Sequence, residues 1–285
     1  CVMLFQALHL APYEIVNSDY LNGTADKITC YANSNCIEMH FVLTGKATFR
    51  LEDLDWNTIQ EGHHNVLALS RVKNETYFKI LPISTFDIHF TKDQLRRLCC
   101  SYPQLDPLLE ALNTGKYTSL SKLPIKTTPI MFHLILQIKE IIMTGETDGK
   151  KTIQLIEHLI RLVIENKPYP SKHIFKYEEI HKIYNAHKQI PQHLDEGGII
   201  SNIIEAATIK PARFRAGFRL LYGCLPKDFL RISRLEKAMW LAMQGRSKTI
   251  RDIAQICGYD SPAQLSKAFF KHFDQKLIDV IRKQK

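Results

Sequence analysis

Through the first 92 residues, apolar side chains alternate with polar ones or come in short blocks. Beyond that they settle into a three-to-four-residue spacing. A change of period predicts a change of secondary structure. The early pattern predicts strands at 38–44, 47–51, 65–69, 76–81 and 85–90, separated by turn signals at Thr44-Gly45-Lys46, Glu61-Gly62 and Pro82. Many short strands at close spacing argue for a sandwich or a small barrel. Residues 93–166 read as helical. Between Pro129 and Met143, Ile130, Met131, Leu134, Ile135, Ile138, Ile141 and Ile142 form one stripe, and Gly145, Asp148 and Gly149 break it. From Thr152 to Glu165 the stripe resumes with Ile153, Ile156, Leu159, Ile160 and Val163. Two adjacent apolar helices predict a helical hairpin. It either covers one side of the β structure or pairs with a second subunit, so a homodimer is the expected assembly. A shorter helix is predicted at 92–100.

Lys167-Pro-Tyr-Pro-Ser-Lys172 resists both helix and strand because of its two prolines. It predicts a linker over 167–176 between a domain at 1–166 and another at 177–285. Nothing after it reads as strand. Helices are predicted at 177–187, 199–207, 212–222, 226–243, 250–257, 263–273 and 277–282.

Two octapeptides in this helical half nearly repeat. Residues 211–218 read P-A-R-F-R-A-G-F and residues 262–269 read P-A-Q-L-S-K-A-F, an offset of 51 residues. Each opens with a proline, a favourable first helical residue. Each puts apolar side chains inward, namely Phe214, Phe218 and Leu221 in the first copy and Leu265, Ala268, Phe269 and Phe273 in the second. A short helix precedes each copy. In the first, Ile203, Ile204 and Ala207 face inward before a turn through Thr208-Ile209-Lys210. In the second, Thr249 is a candidate N-cap, Asp252 suits the positive helix end, and Gly258 can adopt the left-handed conformation that ends a helix. The result is two helix-turn-helix units at about 199–222 and 250–273. The intervening segment 226–243, at about 1.5 Å per residue, makes a rod of roughly 27 Å. Successive major grooves on one face of B-DNA lie about 34 Å apart.

Charge supports the same partner. Residues 171–285 carry 21 Lys+Arg against 11 Asp+Glu, whereas residues 1–170 carry 17 against 18. The whole positive excess is thus confined to the helical half, as expected for a domain that binds a polyanion. The outer-face residues Ala212, Arg213, Arg215, Ala216 and Arg219 of the first unit are candidate contacts to double-stranded DNA. In the second unit they are Pro262, Ala263, Gln264, Lys267 and Lys271. Arg, Gln and Lys can read base edges or hold phosphates.

These residues resemble the AraC/XylS family of bacterial transcription regulators. The likeness covers roughly 177–285 and is most specific in I-x-x-I-A-x-x-x-G-Y-D-S-P-A-Q-L-S-K-A-F-x-K-x-F (250–273) and in R-I-S-R-L-E-K-A (231–238). It implies a sequence-specific DNA-binding regulator, located in the cytoplasm, that contacts RNA polymerase if it activates. Carried onto matching positions, the groove-facing residues are Ala212, Arg215 and Ala216, then Pro262, Ala263, Gln264 and Lys267. There are departures: Thr208 and Asp274 stand where glycine is usual, and Leu277 replaces the proline matched by Pro226. The family's N-terminal domain is a cupin-like β-barrel that binds an effector, followed by dimerising helices, and residues 1–166 look like that. Ile37–Gly45 and Gly62-His-His-Asn-Val-Leu67 are similar to the sensory half of ferri-siderophore-type regulators. The identity of a small-molecule effector is not implied.

Other chemistry has less support. Seven cysteines at 1, 30, 36, 99, 100, 224 and 257 include no C-x-x-C pair, which fits a reducing compartment. Residues 1–10 lack the basic start and cleavage site of a signal peptide, and no apolar run is long enough to span a bilayer. His40, His63, His64 and His89, near Glu38 and Glu61, are the raw material of a metal-dependent cupin enzyme. They lack the family's H-x-H followed by Glu, and read better as buried or turn-capping histidines with no metal and no cofactor. Cys99 and Cys100, beside Arg96 and Arg97, could carry a lowered thiol pKa, but no base is in view. A DNA-binding architectural protein without effector leaves the large, neutral N-terminal half unexplained. The expectation is a non-enzymatic regulator.

Overall fold

The computed structural model describes residues 2–22, 27–31, 35–51, 57–69, 73–77, 82–145, 148–165, 174–244 and 249–283. It divides into two compact units, Cys1–Glu178 and Glu179–Lys285.

The first unit is mainly β. Its strands are β1 (Val2–Leu10), β2 (Tyr13–Asn22), β3 (Lys27–Tyr31), β4 (Cys36–Thr44), β5 (Lys46–Leu51), β6 (Asn57–Gln60), β7 (His63–Leu69), β8 (Lys73–Tyr77), β9 (Ile83–Phe90), β10 (Thr118–Ser119) and β11 (Ile125–Lys126). One antiparallel sheet runs β1-β2-β9-β4-β7-β10, with β11 also on β7, and the other runs β3-β8-β5-β6. Alternation along the central strand β4 sends Ile37, Met39, Phe41 and Leu43 to one face, all buried. Phe86 and Ile88 of β9 and Ile15 of β2 pair onto that face. Helices lie over it, as the Gln94 Nε2 hydrogen bond to the Tyr13 hydroxyl shows (2.9 Å). On the opposite face, Val42, Leu67 and Leu69 pack against Phe49 and Ile59 of the second sheet. The two sheets therefore face each other, the double-sheeted β architecture expected for residues 1–92.

Four helices follow: α1 (Lys92–Cys99), α2 (Asp106–Thr114), α3 (Pro129–Thr144) and α4 (Gly149–Glu165). The expected hairpin is α3 with α4. Thr128 caps α3, its hydroxyl accepting from Met131 N at 3.3 Å, and Gly145 ends it in the left-handed conformation. Two details differ from the pattern. Ile130 is exposed, whereas Phe132 and Leu136, outside the expected stripe, are buried with Met131, Leu134, Ile135 and Ile138. Gly149 opens α4 instead of breaking it, since Asp148 caps there by accepting from Lys151 N. The strand expected at 76–81 is shifted to Lys73–Tyr77, and residues 78–81 fall outside the described residues. Most of the expected linker, 167–173, also falls outside them.

Among the described residues the second unit forms helices without strands: α5 (Tyr177–Gln189), which begins just before it, α6 (Ile199–Ala206), α7 (Pro211–Tyr222), α8 (Pro226–Met243), α9 (Ile250–Ile256), α10 (Pro262–Phe273) and α11 (Leu277–Arg282). Among the described residues, no helix is long and apolar enough to cross a membrane.

Candidate nucleic-acid interface

The first helix-turn-helix is α6 and α7. Ile203, Ile204, Ala207 and Ile209 are buried, and they hold the turn against Phe214 and Phe218, which are fully enclosed. Phe218 also meets Phe229 of α8, and His187 of α5 stacks on Tyr222 at 3.8 Å between ring centroids. This aromatic cluster locks the orientation of α7. Burial lowers the His187 pKa, so its ring sits there as a neutral aromatic. Thr208 has φ +55° in the turn, a conformation that disfavours a β-branched residue. Its hydroxyl compensates by accepting from Lys182 Nζ at 2.9 Å and donating to the Ala207 carbonyl at 2.7 Å.

The second helix-turn-helix is α9 and α10. Thr249 and Asp252 form a reciprocal cap, with Thr249 N donating to Asp252 at 2.8 Å and Asp252 N to the Thr249 hydroxyl at 3.2 Å. Ser261 caps α10 by accepting from Gln264 N at 3.2 Å, so proline follows directly at the first helical position. Ile253, Ala254, Cys257, Leu265 and Phe269 share one core with Leu235, Ala238, Leu241 and Ala242 of α8 and with Leu277 and Val280 of α11. The C-terminal half of α8 is thus part of the second helix-turn-helix core, while Phe229 in its first half meets Phe218 of α7.

Arg234, midway along α8, ties the two halves together. Its Nε donates to the Leu194 carbonyl at 2.8 Å and its guanidinium lies 5.9 Å from the Tyr259 ring centroid. Gly258 passes so close that a Cβ there would lie 2.1 Å from the Leu194 oxygen and 2.6 Å from Arg234 Nη2. Its φ is +70°. Glycine is therefore required twice at this turn, for its dihedral and for its missing side chain. Arg234 falls within the segment 231–238 singled out in the sequence, yet its partner is a carbonyl 40 residues away, which no local pattern reveals.

The expected DNA-facing side chains are distributed as follows. Ala212, Arg215 and Arg219 are exposed on α7, and Ala216 beside them is half-buried. On α10, Pro262, Ala263, Gln264, Lys267 and Lys271 are all exposed. Among the described residues, no ion pair engages Arg215, Arg219, Lys267 or Lys271. Arg213 is different. It is half-buried and bidentate to Glu179 of α5, with Nη2 donating at 2.7 Å and Nε to the other oxygen. The pairing raises its pKa further. It braces α7 against α5 instead of standing free on the outer face with Arg215.

In the first unit, the histidines of the metal reading separate. His64 is buried, stacked 5.0 Å from Phe41 and hydrogen-bonded to the Thr127 hydroxyl at 3.0 Å, and burial pushes its pKa down to about 3. His63 bonds the Glu61 carbonyl at 3.0 Å. His40 and His89 lie together with Glu38 on the face opposite His64. Asp87, which the sequence pattern had not marked, joins them, its Oδ1 2.6 Å from His40 Nδ1. The Cys99 thiol is pushed up to about 11 by burial and by its hydrogen bond with Asp106. Arg96 is occupied by Asp93 at 2.7 Å. An activated thiolate at Cys99 is therefore not what these surroundings favour.

A match to a protein family agrees with this geometry. A family model described as "Helix-turn-helix domain" matches residues 203–282. The "Probable transcriptional regulator LumQ" of Photobacterium leiognathi is 30% identical over 80 residues, which is 28% of this chain and 32% of LumQ. The match thus takes in about a third of that relative's length. A solved transcriptional regulator of Chromobacterium violaceum, with an AraC-type DNA-binding domain, is 21% identical and covers 36% of this chain and 92% of its own, with a TM-score of 0.34. ToxT from Vibrio cholerae is 13% identical over 96% of this chain and 100% of its own, with a TM-score of 0.32. Residues 203–282 of this chain are a helix-turn-helix domain.

Proposed function

We propose that the protein is a sequence-specific transcription regulator that docks α7 and α10 into successive major grooves of double-stranded DNA. The observation that carries this reading is the pair of helix-turn-helix units sharing one 18-residue helix, α8, with uncommitted cations on both outer faces. Arg215 and Arg219 are one turn apart on α7, as are Lys267 and Lys271 on α10, so each pair lines one side of its helix. With Ala212, Ala216, Pro262 and Ala263 between them, the two helices present small side chains that let backbone and base edges approach. Gln264 and Lys267, on the exposed first turns of α10, are the strongest candidates for base reading. Arg219 and Lys271, further along, hold phosphate.

The first unit is the control domain in this reading. A cavity of about 320 Å³ is lined by Tyr13, Gln94, Tyr102, His158 and Arg161 among others, a size that suits a small effector. The α3–α4 hairpin is the dimerising surface, and RNA polymerase is the further partner of an activator. An effector changes DNA binding only if it has different affinity for the two states of the protein.

The test is fluorescence anisotropy with the full chain and an operator recovered by selection from genomic fragments. Arg215→Ala and Lys267→Ala should each weaken operator binding by roughly 1–3 kcal/mol if they read bases. Affinity should fall steeply between about 50 and 200 mM salt. Unchanged affinity in both variants, or salt-independent binding, would overturn the assignment.

A further inference from the structure

Five ionisable side chains from three neighbouring strands converge on the face of the larger sheet that looks toward the second sheet. Glu38 and His40 come from β4, Asp87 and His89 from β9, and Glu14 from β2. Cross-strand register sets Glu38 opposite His89, His40 opposite Asp87, and Glu14 opposite His89. Two-residue alternation then puts all five on one face. DNA binding makes no use of them. A partly buried set of three carboxylates and two imidazoles is also a weak source of stability, since desolvation offsets the attraction.

The donor atoms are closely spaced. His40 Nδ1 lies 2.6 Å from Asp87 Oδ1 and 3.5 Å from Glu38 Oε1. His89 Nε2 lies 3.2 Å from Glu38 Oε2. Ligand atoms of Glu38, His40 and Asp87 all fall within 4.8 Å of one another. A divalent first-row ion with bonds of about 2.0–2.2 Å sets neighbouring donors roughly 3–3.5 Å apart, so Glu38, His40 and Asp87 need little movement to surround one, and His89 reaches it from beside Glu38.

The outer groups fit as well. His89 Nδ1 is held by Glu14 Oε2 at 3.4 Å. If Nδ1–H donates there, the Nε2 lone pair points at the Glu38 carboxylate, a position that either a second ring proton or a metal ion can fill. A carboxylate on the far ring nitrogen is the usual support of a metal-bound imidazole. His40 Nε2 is buried with no hydrogen-bond partner, so its ring is fixed by Nδ1 alone. Once a bound ion has displaced their ring protons, two neutral imidazoles and two carboxylates match one dication in charge. An all-N/O set without thiolate suits Mn²⁺, Fe²⁺, Co²⁺ or Zn²⁺ and disfavours Cu⁺.

We propose that Glu38, His40, Asp87 and His89 form a binding site for a first-row divalent metal ion, with Glu14 orienting His89. The proposal does not depend on the DNA-binding reading, which stands whether or not a metal binds.

The experiment is calorimetric titration of the untagged, EDTA-treated full chain with ZnCl₂ and with MnCl₂. One saturable ion per chain is expected for at least one metal. Glu38→Gln and Asp87→Asn keep side-chain size and should each weaken binding by at least about tenfold, while His193→Gln in the second unit leaves it unchanged. Circular dichroism and thermal melting establish that the variants fold. Zinc-edge anomalous scattering from crystals of the unmutated chain gives a readout independent of any variant, with the peak expected among these four side chains. Absence of saturable binding by either metal, binding undiminished in both folded variants, or an anomalous peak elsewhere only would overturn the proposal.

Discussion

Replacing Gly258 with alanine separates two demands that this turn makes on its residue. Gly258 and Gly223 have nearly the same dihedral, φ +70° and +74°. A Cβ at Gly223 meets nothing within 4 Å, whereas one at Gly258 runs into the Leu194 carbonyl and Arg234. Gly223→Ala should therefore show the dihedral penalty alone, about 1–2 kcal/mol. Gly258→Ala adds the loss of the Arg234–Leu194 hydrogen bond, a charged donor on a carbonyl, which contributes about 1.5–3 kcal/mol. Backbone is the blocking atom, so rotation of a side chain cannot relieve the contact. The difference between the variants should be about 2 kcal/mol, or roughly 1–2 M in urea midpoint for a unit of this size. Full-length protein carrying Trp56→Phe leaves Trp240 of α8 as the sole tryptophan, and its fluorescence follows unfolding of the second unit. Equal losses in the two variants would refute the idea that Leu194, Arg234 and Gly258 form a clamp.

Three further outcomes follow from the same structure. Glu179→Ala and Arg213→Ala should destabilise the second unit by similar amounts, about 1 kcal/mol each, with a double variant no worse than either. If Arg213 contacted DNA directly, Arg213→Ala alone would weaken operator binding and Glu179→Ala would not. The pH dependence of the first unit should carry the mark of His64. Its folded pKa of about 3 lies below the ordinary 6.5, so the unfolded chain takes up the proton first. Stability is then unaffected above pH 6.5 and is lost as pH falls from 6.5 toward 3, by about 2 kcal/mol at pH 5. His64→Asn should flatten that slope in urea titrations at pH 7.5 and 5, and parallel profiles for the two proteins would sink the assignment. Thr208→Gly relieves a β-branched residue of φ +55° but gives up two hydroxyl hydrogen bonds. Its net effect should stay within about 1 kcal/mol of zero, and a larger loss by thermal melting would show that the Lys182 contact matters more than the strain.

What the sequence made legible was local. Pro211 and Pro262 begin their helices, Thr249 and Asp252 cap α9, and the inward set Phe214, Phe218, Leu265 and Phe269 is buried because helical spacing alone dictates it. The β1–β2 hairpin was not resolved into strands, since Met3, Leu4 and Phe5 are a continuous apolar run with no alternation, and all three are exposed. Helix α2 lies inside the stretch read as helical, 93–166, but Pro103 and Pro107 hide where it starts, at Asp106. Site details that depend on distant partners were out of reach. Arg213 looks like Arg215 until Glu179 is brought beside it, and Arg234 gains its role only from Leu194. Asp87 is one of several acids in its region until strand register sets it against His40. Glu38, His40 and His89 were visible as candidates, but their grouping, and the exclusion of His63 and His64, required the sheet.

The central claim is that two recognition helices, joined by α8, engage DNA together. Hydroxyl-radical and dimethyl sulfate footprinting of the full chain on its operator tests this most directly. The account predicts two protected major-groove stretches on one face of the duplex, about one helical turn apart. Lys267→Ala should weaken one stretch and Arg215→Ala the other. A single protected stretch per chain that responds to only one of the two substitutions would contradict it.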